Sequence, residues 1–575
     1  MKKKTNPAAI AVTTLLGAWA GNLISRSVRT DLATGHDLAH AIDHALDGLY
    51  HPLRLSGNQT DLLTALCCAA IIGLMWAYAI TNRRNYREGE EHGSAEWADA
   101  ADMAPYTDHD PARNLQMTQT EGLSLDTKAT HRNLNVAVIG SSGSRKTRGY
   151  VFPNIEKALM SYAITDPKGE IYRRTSNMLE EKGYQVRRLD LVDLSHSAHF
   201  NPMSYIDPDV PEPSIMRLVE NLITNTDGGN KNSSSSDPFW TKAERALLTA
   251  LTTWVYYTSD QPSLNDVVEM TGKLEASEEN EDLMSEVDAM MEAAREMITE
   301  IRGHEDEWDE EVQHIVDGLQ FAASQYRTFT QGAGETKKSI IISAGVRLAP
   351  LQVRQVHDII ADDDIDLRSI GSRKTAIFLI LSDTDATFNF LAAIFYQCLF
   401  ETTIYTADHN ESGELQVPLH CFLDEFANIG TIPGFERLIA TIRSRGISVS
   451  VIIQNIAQLK AKYKDSWETI LGNCDSTLFL GGGEASTTEL VSKRLGKQTI
   501  DTRDTSESKG MNGSFTISYR TAARDLLDPS ELSKLDDKDC VYMLRGLNPF
   551  LSKKIDGKPI KPPKSHLGKT PRTTR

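Results

Sequence analysis

The stretch Gly140-Ser-Ser-Gly-Ser-Arg-Lys-Thr147 carries the most readable chemistry in the chain. It follows a short apolar run, Asn135-Val-Ala-Val-Ile139, of the kind that forms a buried strand. Gly140, Lys146 and Thr147 fit the template G-x-x-x-x-G-K-[ST], in which a turn between strand and helix cradles phosphates on its backbone N–H groups. The expected cradle is Gly140, Ser141, Ser142, Gly143, Ser144, Arg145, Lys146, Thr147 and Arg148. Lys146 is expected to reach the β- and γ-phosphates of ATP, and the Thr147 hydroxyl to take a place on Mg2+. Arg145 stands where the template has its second glycine, the residue that permits a tight backbone approach. Two outcomes stay open: Arg145 adopts the required dihedrals, or it weakens nucleotide binding and puts hydrolysis in doubt.

A second constellation lies far downstream. Val417-Pro-Leu-His-Cys-Phe-Leu423 is an apolar run that ends in Asp424 and Glu425. Asp424 is expected to hold Mg2+, directly or through water. Glu425 is expected to polarise the attacking water as general base. The bland alternative is a pair of acids capping the next helix. Ile447-Ser-Val-Ser-Val-Ile-Ile453 reads as another strand and ends at Gln454, placed to sense the γ-phosphate. Arg443 and Arg445 precede that strand. Either suits a role in trans on a neighbouring subunit's nucleotide, with Arg443 the first choice; the alternative is a helix end carrying favourable cations.

With these residues in place the chain resembles the type IV coupling proteins, the TraG-like ATPases of conjugation and type IV secretion. Ile164-Thr-Asp-Pro-Lys-Gly-Glu170, Gly183-Tyr-Gln-Val186, Phe200-Asn-Pro202, Asp237-Pro-Phe-Trp240, Lys338-Ser-Ile-Ile-Ile-Ser343 and Arg347-Leu-Ala-Pro350 follow in the family's order. The densest stretch runs from Phe422-Leu-Asp-Glu-Phe-Ala-Asn-Ile-Gly430 through Arg443-Ser-Arg-Gly446 and Gln454 to Asn473-Cys-Asp475 and Leu495-Gly-Lys-Gln-Thr-Ile500. The resemblance covers about residues 130–550; Arg145 departs from the pattern. It implies a RecA-like α/β nucleotide-binding domain with an inserted all-α domain, assembled as a homo-hexameric ring with ATP between subunits. It also implies partners: a relaxase with its single-stranded DNA, and the proteins of a type IV secretion channel.

The elements that must position these residues can be read from pattern. The chain has 575 residues, enough for several domains. Two uncharged apolar runs, residues 7–24 and 62–80, have about the length that crosses a bilayer. Lys2, Lys3 and Lys4 precede the first, and Arg83, Arg84 and Arg87 follow the second. That asymmetry places both outer ends in the cytoplasm and predicts a multi-pass anchor in the cell membrane. A signal peptide is the alternative for the first run, without an obvious cleavage site. The histidines of the segment between the runs show no convincing ligand spacing. The six cysteines offer no zinc pattern and read as reduced thiols.

Alternating strands and helices over residues 130–205 predict a parallel sheet. Residues 208–330 read as the inserted all-α domain. Ala246, Leu247, Ala250, Leu251, Trp254 and Val255 recur there at helical spacing, and Met284, Met290, Met291 and Met297 read as core filler. Residues 230–236, NKNSSSS, read as a flexible loop. Strands resume near residue 375, and Leu381-Ser-Asp383 could lie near the nucleotide or a pore.

The net charge of -18 reads as unfavourable for nucleic acid. Roughly 16 acids against about 2 bases sit in residues 275–311, however, a solvated helical face, so the sum does not exclude a DNA partner. The organisation expected is an anchor (1–84), a first part of the nucleotide domain (85–207), the all-α insert (208–330), a second part (331–551) and a basic, disordered tail (552–575). The function expected is a membrane-anchored ATPase driving DNA transfer. A weakly hydrolysing docking platform is the alternative. A chromosome-segregation translocase would explain the phosphate loop and the spans but not the ordered blocks.

Overall fold

The computed structural model describes residues 7–82, 87, 89–226, 238–277, 279–280, 283–301, 309–332, 334–507 and 515–556. Lys2 to Lys4, Arg83, Arg84, the 230–236 loop and nearly all of the basic tail lie outside the described residues. The chain divides into two compact units, Met1–Glu91 and His92–Arg575.

The first unit is an antiparallel pair of helices, Pro7–Ala33 and Gln59–Thr81, each long and apolar enough to cross a membrane. They approach closely at Gly17 and Gly21, where an added Cβ would meet Ile72 and the Cys68 sulfur. The first helix runs past the expected end at residue 24. Its added turns carry Ser25 and Arg29, which hydrogen-bond the buried Asp61 carboxylate at 2.8 and 3.0 Å. All six cysteines are free, and Cys67 is exposed.

The second unit contains thirteen strands among its described residues. They are β1 (Asn114–Gln116), β2 (Gly122–Ser124), β3 (Val136–Ile139), β4 (Ser161–Asp166), β5 (Gln185–Asp190), β6 (Thr375–Ile380) and β7 (Leu419–Leu423). β8 (Ile447–Ile453), β9 (Ser476–Phe479), β10 (Lys497–Glu507), β11 (Phe515–Asp525), β12 (Asp539–Leu544) and β13 (Phe550–Lys553) complete the set. Nine form one sheet in the order β13-β12-β9-β3-β8-β7-β4-β6-β5. The seven from β9 to β5 are parallel; β12 and β13 add antiparallel at one edge.

Both faces of the parallel part are covered, which is why its strands read as unbroken apolar runs. Alternate residues serve two cores. Ala137, Ile139, Ala163, Cys421, Val449 and Val451 pack on one side, and Val136, Val138, Ile164, Phe422 and Ile452 on the other. Because the strands are parallel, the loops after β3, β4, β6, β7 and β8 all leave from the same edge. Residues far apart in sequence are therefore delivered to one place.

Between β5 and β6 the described residues are helical: Pro211–Asn225, Pro238–Thr258, Leu264–Gly272, Glu286–Ile301, Glu310–Thr330, Gly334–Leu348 and Arg354–Ile360. The helical stretch runs on past residue 330, because Gly334–Leu348 packs its Ile340 and Ala344 into the same core as Leu247 and Leu251. Arg347 of that helix forks onto buried Glu244 of Pro238–Thr258 at 2.7 and 3.1 Å and donates to the Ile223 carbonyl. Three helices are thus tied by one guanidinium. The reading of the methionines as filler holds for Met291, which is buried, and for Met290, packed against the core. Met284 and Met297 are exposed instead, being on the solvent side of their segments.

Candidate active site

β3 delivers the chain to Gly140, where the loop leaves the sheet. The Gly140 N–H donates to the Ile453 carbonyl at 3.1 Å and the Ser141 N–H to that of Gly481 at 3.0 Å, so the loop is pinned to the ends of β8 and β9. A Cβ on Gly140 would stand 2.3 Å from the Ser144 hydroxyl, so only glycine fits. Gly143 has φ +80° and Arg145 has φ +73°. Arg145 therefore takes the left-handed conformation for which the template supplies glycine, at a cost of about 1–2 kcal/mol. Its guanidinium is drawn out of the loop by Asp537 at 2.7 Å and Asp556 at 3.1 Å. A π-turn, Thr147–Val151, then leads into Phe152–Ile155.

Lys146 is buried, and its Nζ donates to the Gly140 carbonyl at 2.9 Å and lies 3.5 Å from Glu425. The Thr147 hydroxyl donates to Asp424 Oδ2 at 3.1 Å. Gln454, at the end of β8, donates from Nε2 to Glu425 Oε2 at 3.0 Å. The sheet order explains this meeting: β8 lies between β3 and β7, so Gln454 stands between the lysine loop and the two acids. Glu425 itself is held at φ +50°, which turns its side chain back toward Lys146 and Gln454. Burial pushes the Asp424 carboxyl up to about 6; the neighbouring Glu425 charge adds to this, while Lys146 and the Thr147 hydroxyl oppose it.

These side chains open on a cavity of about 680 Å³. Ser141, Ser142, Gly143, Ser144 and Arg148 line it beside the residues just named. So do groups that the sequence did not mark as site residues: Asp166, Lys168, Glu170, Asn428 and Asp537. Asp166 ends β4, accepts from the Tyr172 N–H at 2.8 Å, and is held above the usual carboxylate range by burial. The one available signal was its place at the end of an apolar run before Pro-Lys-Gly. Asp383, left undecided between nucleotide and pore, lines this cavity and pairs with Lys168 at 3.5 Å.

Arg443 is not brought here. It sits in the turn Ile442–Arg445 before β8, with its guanidinium on the Thr127 carbonyl at 2.7 Å. The strand separates it from Gln454 by roughly 23 Å. Arg445 is committed to Asp408 through two hydrogen bonds of 2.7 and 2.9 Å.

The donor set fits a nucleotide triphosphate with a hard cation. The Ser144 hydroxyl is buried without a hydrogen-bond partner, the loop presents its backbone to the cavity, and Thr147 with Asp424 offers two oxygens side by side.

Residues 102–556 match the family model described as Type IV secretory system Conjugative DNA transfer. The chain belongs to this conjugative DNA transfer family. Among similar relatives, Protein VirD4 of Rhizobium radiobacter is 23% identical over 482 residues, covering 82% of this chain and 64% of that protein. Conjugal transfer protein TraG of Escherichia coli is 22% identical over 478 residues, covering 77% and 71%. The match thus spans under two thirds of the VirD4 protein's length. Among solved structures, plasmid coupling protein TrwB in complex with ADP and Mg2+ superposes with a TM-score of 0.57 at 13% identity, covering 82% of this chain and 98% of that one. The unbound TrwBdeltaN70 structure gives 0.57 at 14% identity, covering 82% and 96%. The fold of this family member is therefore the RecA-like P-loop ATPase domain with an all-α domain inserted.

Proposed function

We propose that the chain is a type IV secretion coupling ATPase that binds ATP and Mg2+ and drives single-stranded DNA transfer. The observation that carries this reading is the convergence of Lys146, Thr147, Asp424, Glu425 and Gln454 from three parallel strand ends onto one cavity. Bound Mg-ATP would supply a phosphoanhydride whose γ-phosphoryl group is transferred to water. Lys146 and the loop N–H groups from Ser141 to Arg148 would hold the phosphate oxygens. Thr147 and Asp424 would hold the cation. Glu425, kept in place by Gln454, would take the proton of the attacking water. Arg443 would act on a neighbouring subunit's site; its distance from its own Gln454 suits that role, and Arg445 is already committed to Asp408.

The wider proposal has four parts. The helical segment from Pro211 to Ile360 is the inserted domain, somewhat larger than residues 208–330. The ring is a homo-hexamer. The two apolar helices anchor it in the cell membrane with the ATPase body in the cytoplasm. Its partners are a relaxase carrying single-stranded DNA and the proteins of the secretion channel.

The test is ATP turnover by residues 92–575 with and without single-stranded DNA. Beside it, Glu425→Gln should lower turnover by about 10²–10⁴-fold while ATP still binds. In cells, Lys146→Ala should abolish DNA transfer. ATP binding without turnover, with transfer intact in the Lys146 variant, would instead favour the docking platform.

A further inference from the structure

The segment between the two apolar helices carries a cluster that the established family function does not use. Read as spacing, its histidines form no ligand pattern; folded, they do. The first long helix ends at Ala33, and the chain reverses through Thr34 and Gly35, whose φ of +93° only glycine adopts freely. Asp37 then caps the short helix Leu38–Asp43 by accepting from the His40 N–H at 3.0 Å. This reversal returns two imidazoles to Asp31 in the last turn of the helix just left. His36 Nδ1 lies 3.3 Å from one carboxylate oxygen and His40 Nδ1 2.9 Å from the other. The two rings are 4.2 Å apart.

We propose that Asp31, His36 and His40 form a site for a divalent transition-metal ion of the zinc class. Three observations carry this. One ligand atom from each residue lies within 4.8 Å of the others, a separation that a small inward shift closes around one ion. The donors are two imidazole nitrogens and a carboxylate oxygen, the set that binds zinc with a fourth position left to water, and not the all-oxygen set of Mg2+ or Ca2+. The histidines are also half-exposed, at 49% and 42%, so core packing does not explain why two rings crowd one carboxylate. A metal ion on the two Nδ1 atoms and the carboxylate, with the ring protons carried on Nε2, would satisfy the same three groups at once. The ion would fasten the connecting segment to the end of the first long helix. Its ligands come from the last turn of the first long helix, the turn after it and the short helix Leu38–Asp43, all between Asp31 and His40, so the site needs no second subunit.

The test is zinc content and affinity of the full-length, tag-free protein in detergent. After dialysis against zinc-buffered solution the chain should hold one zinc ion, and Co2+ substituted for it should give the visible spectrum of a four-coordinate N/O site. His40→Ala and Asp31→Asn should each weaken zinc binding by at least about 100-fold, more than loss of an outer-shell partner usually costs. His51→Ala, in the same segment but outside the cluster, should leave it unchanged. Helix content and the elution profile in detergent should be equal in all variants, which shows that each is folded. Zinc content equal in His40→Ala and the parent, or lowered equally by His51→Ala, would overturn the proposal.

Discussion

Replacing Arg145 with glycine tests whether the phosphate loop depends on this side chain or only on the backbone shape it adopts. At φ +73° the arginine carries about 1–2 kcal/mol of strain that glycine does not. Its ion pairs with Asp537 and Asp556 are largely solvent-exposed, 66% and 83% on the acid side, and are worth about 0–1 kcal/mol each. Glycine also adds about 0.5–1 kcal/mol of unfolded-chain entropy. These terms leave Arg145→Gly within about 1 kcal/mol of the parent. Arg145→Ala keeps the strain and loses the pairs, so it should be less stable than the glycine variant by about 0.5–1 kcal/mol. The variant keeps the loop's backbone shape and leaves Lys146, Thr147 and Glu425 unaltered, so the barrier should change by less than about 1.36 kcal/mol and turnover should stay within about tenfold of the parent. The assay is steady-state ATP turnover beside the urea midpoint of residues 92–575. Two results refute the reasoning: the alanine variant more stable than the glycine one, or glycine raising turnover by about 100-fold or more. The second would mean that the guanidinium obstructs the site.

Three further predictions rest on other contacts. Arg347→Ala should cost about 3–5 kcal/mol, because it leaves Glu244 buried without its partner, and should show as a large loss of the urea midpoint. Gly318→Ala should destabilise the helical segment by about 1–3 kcal/mol, since the new methyl would stand 2.0 Å from the Tyr257 ring; proteolysis of this segment reads it directly. Asp424 gives the nucleotide-free protein a pH signature. Its carboxyl is raised above the unfolded value, so its contribution to stability is fully present below about 3.8 and is lost as pH rises through about 6. A cation needs the carboxylate, so Mg2+ affinity should run the other way, weakening by about tenfold per pH unit below about 6. Mg2+ titration of nucleotide binding checks this, and Asp424→Asn should flatten the profile.

What the sequence determined by itself was local. A strand pattern followed by Gly140, Lys146 and Thr147 fixes a phosphate loop, because the strand, the turn and the helix start are neighbours in the chain. Asp424 and Glu425 could be found for the same reason, as acids at the end of an apolar run. The two long apolar helices followed from run length, and the family from the order of its blocks. Tertiary structure decided everything that depends on which strand lies beside which. Thr147 meets Asp424 across 277 residues, and Arg145 meets Asp556 across 411. No spacing rule reaches such pairs; the parallel order of β3, β8, β7 and β4 creates them. Asp166 and Asp383 join the cavity for that reason, and Arg443 stays away because it lies at the other end of its strand. The Asp31, His36 and His40 cluster needed a reversal at Gly35 that places ligands by direction, not by count. Spacing along the chain records which residues are near in sequence, while chemistry requires nearness in space, and in a parallel sheet only the strand order converts one into the other.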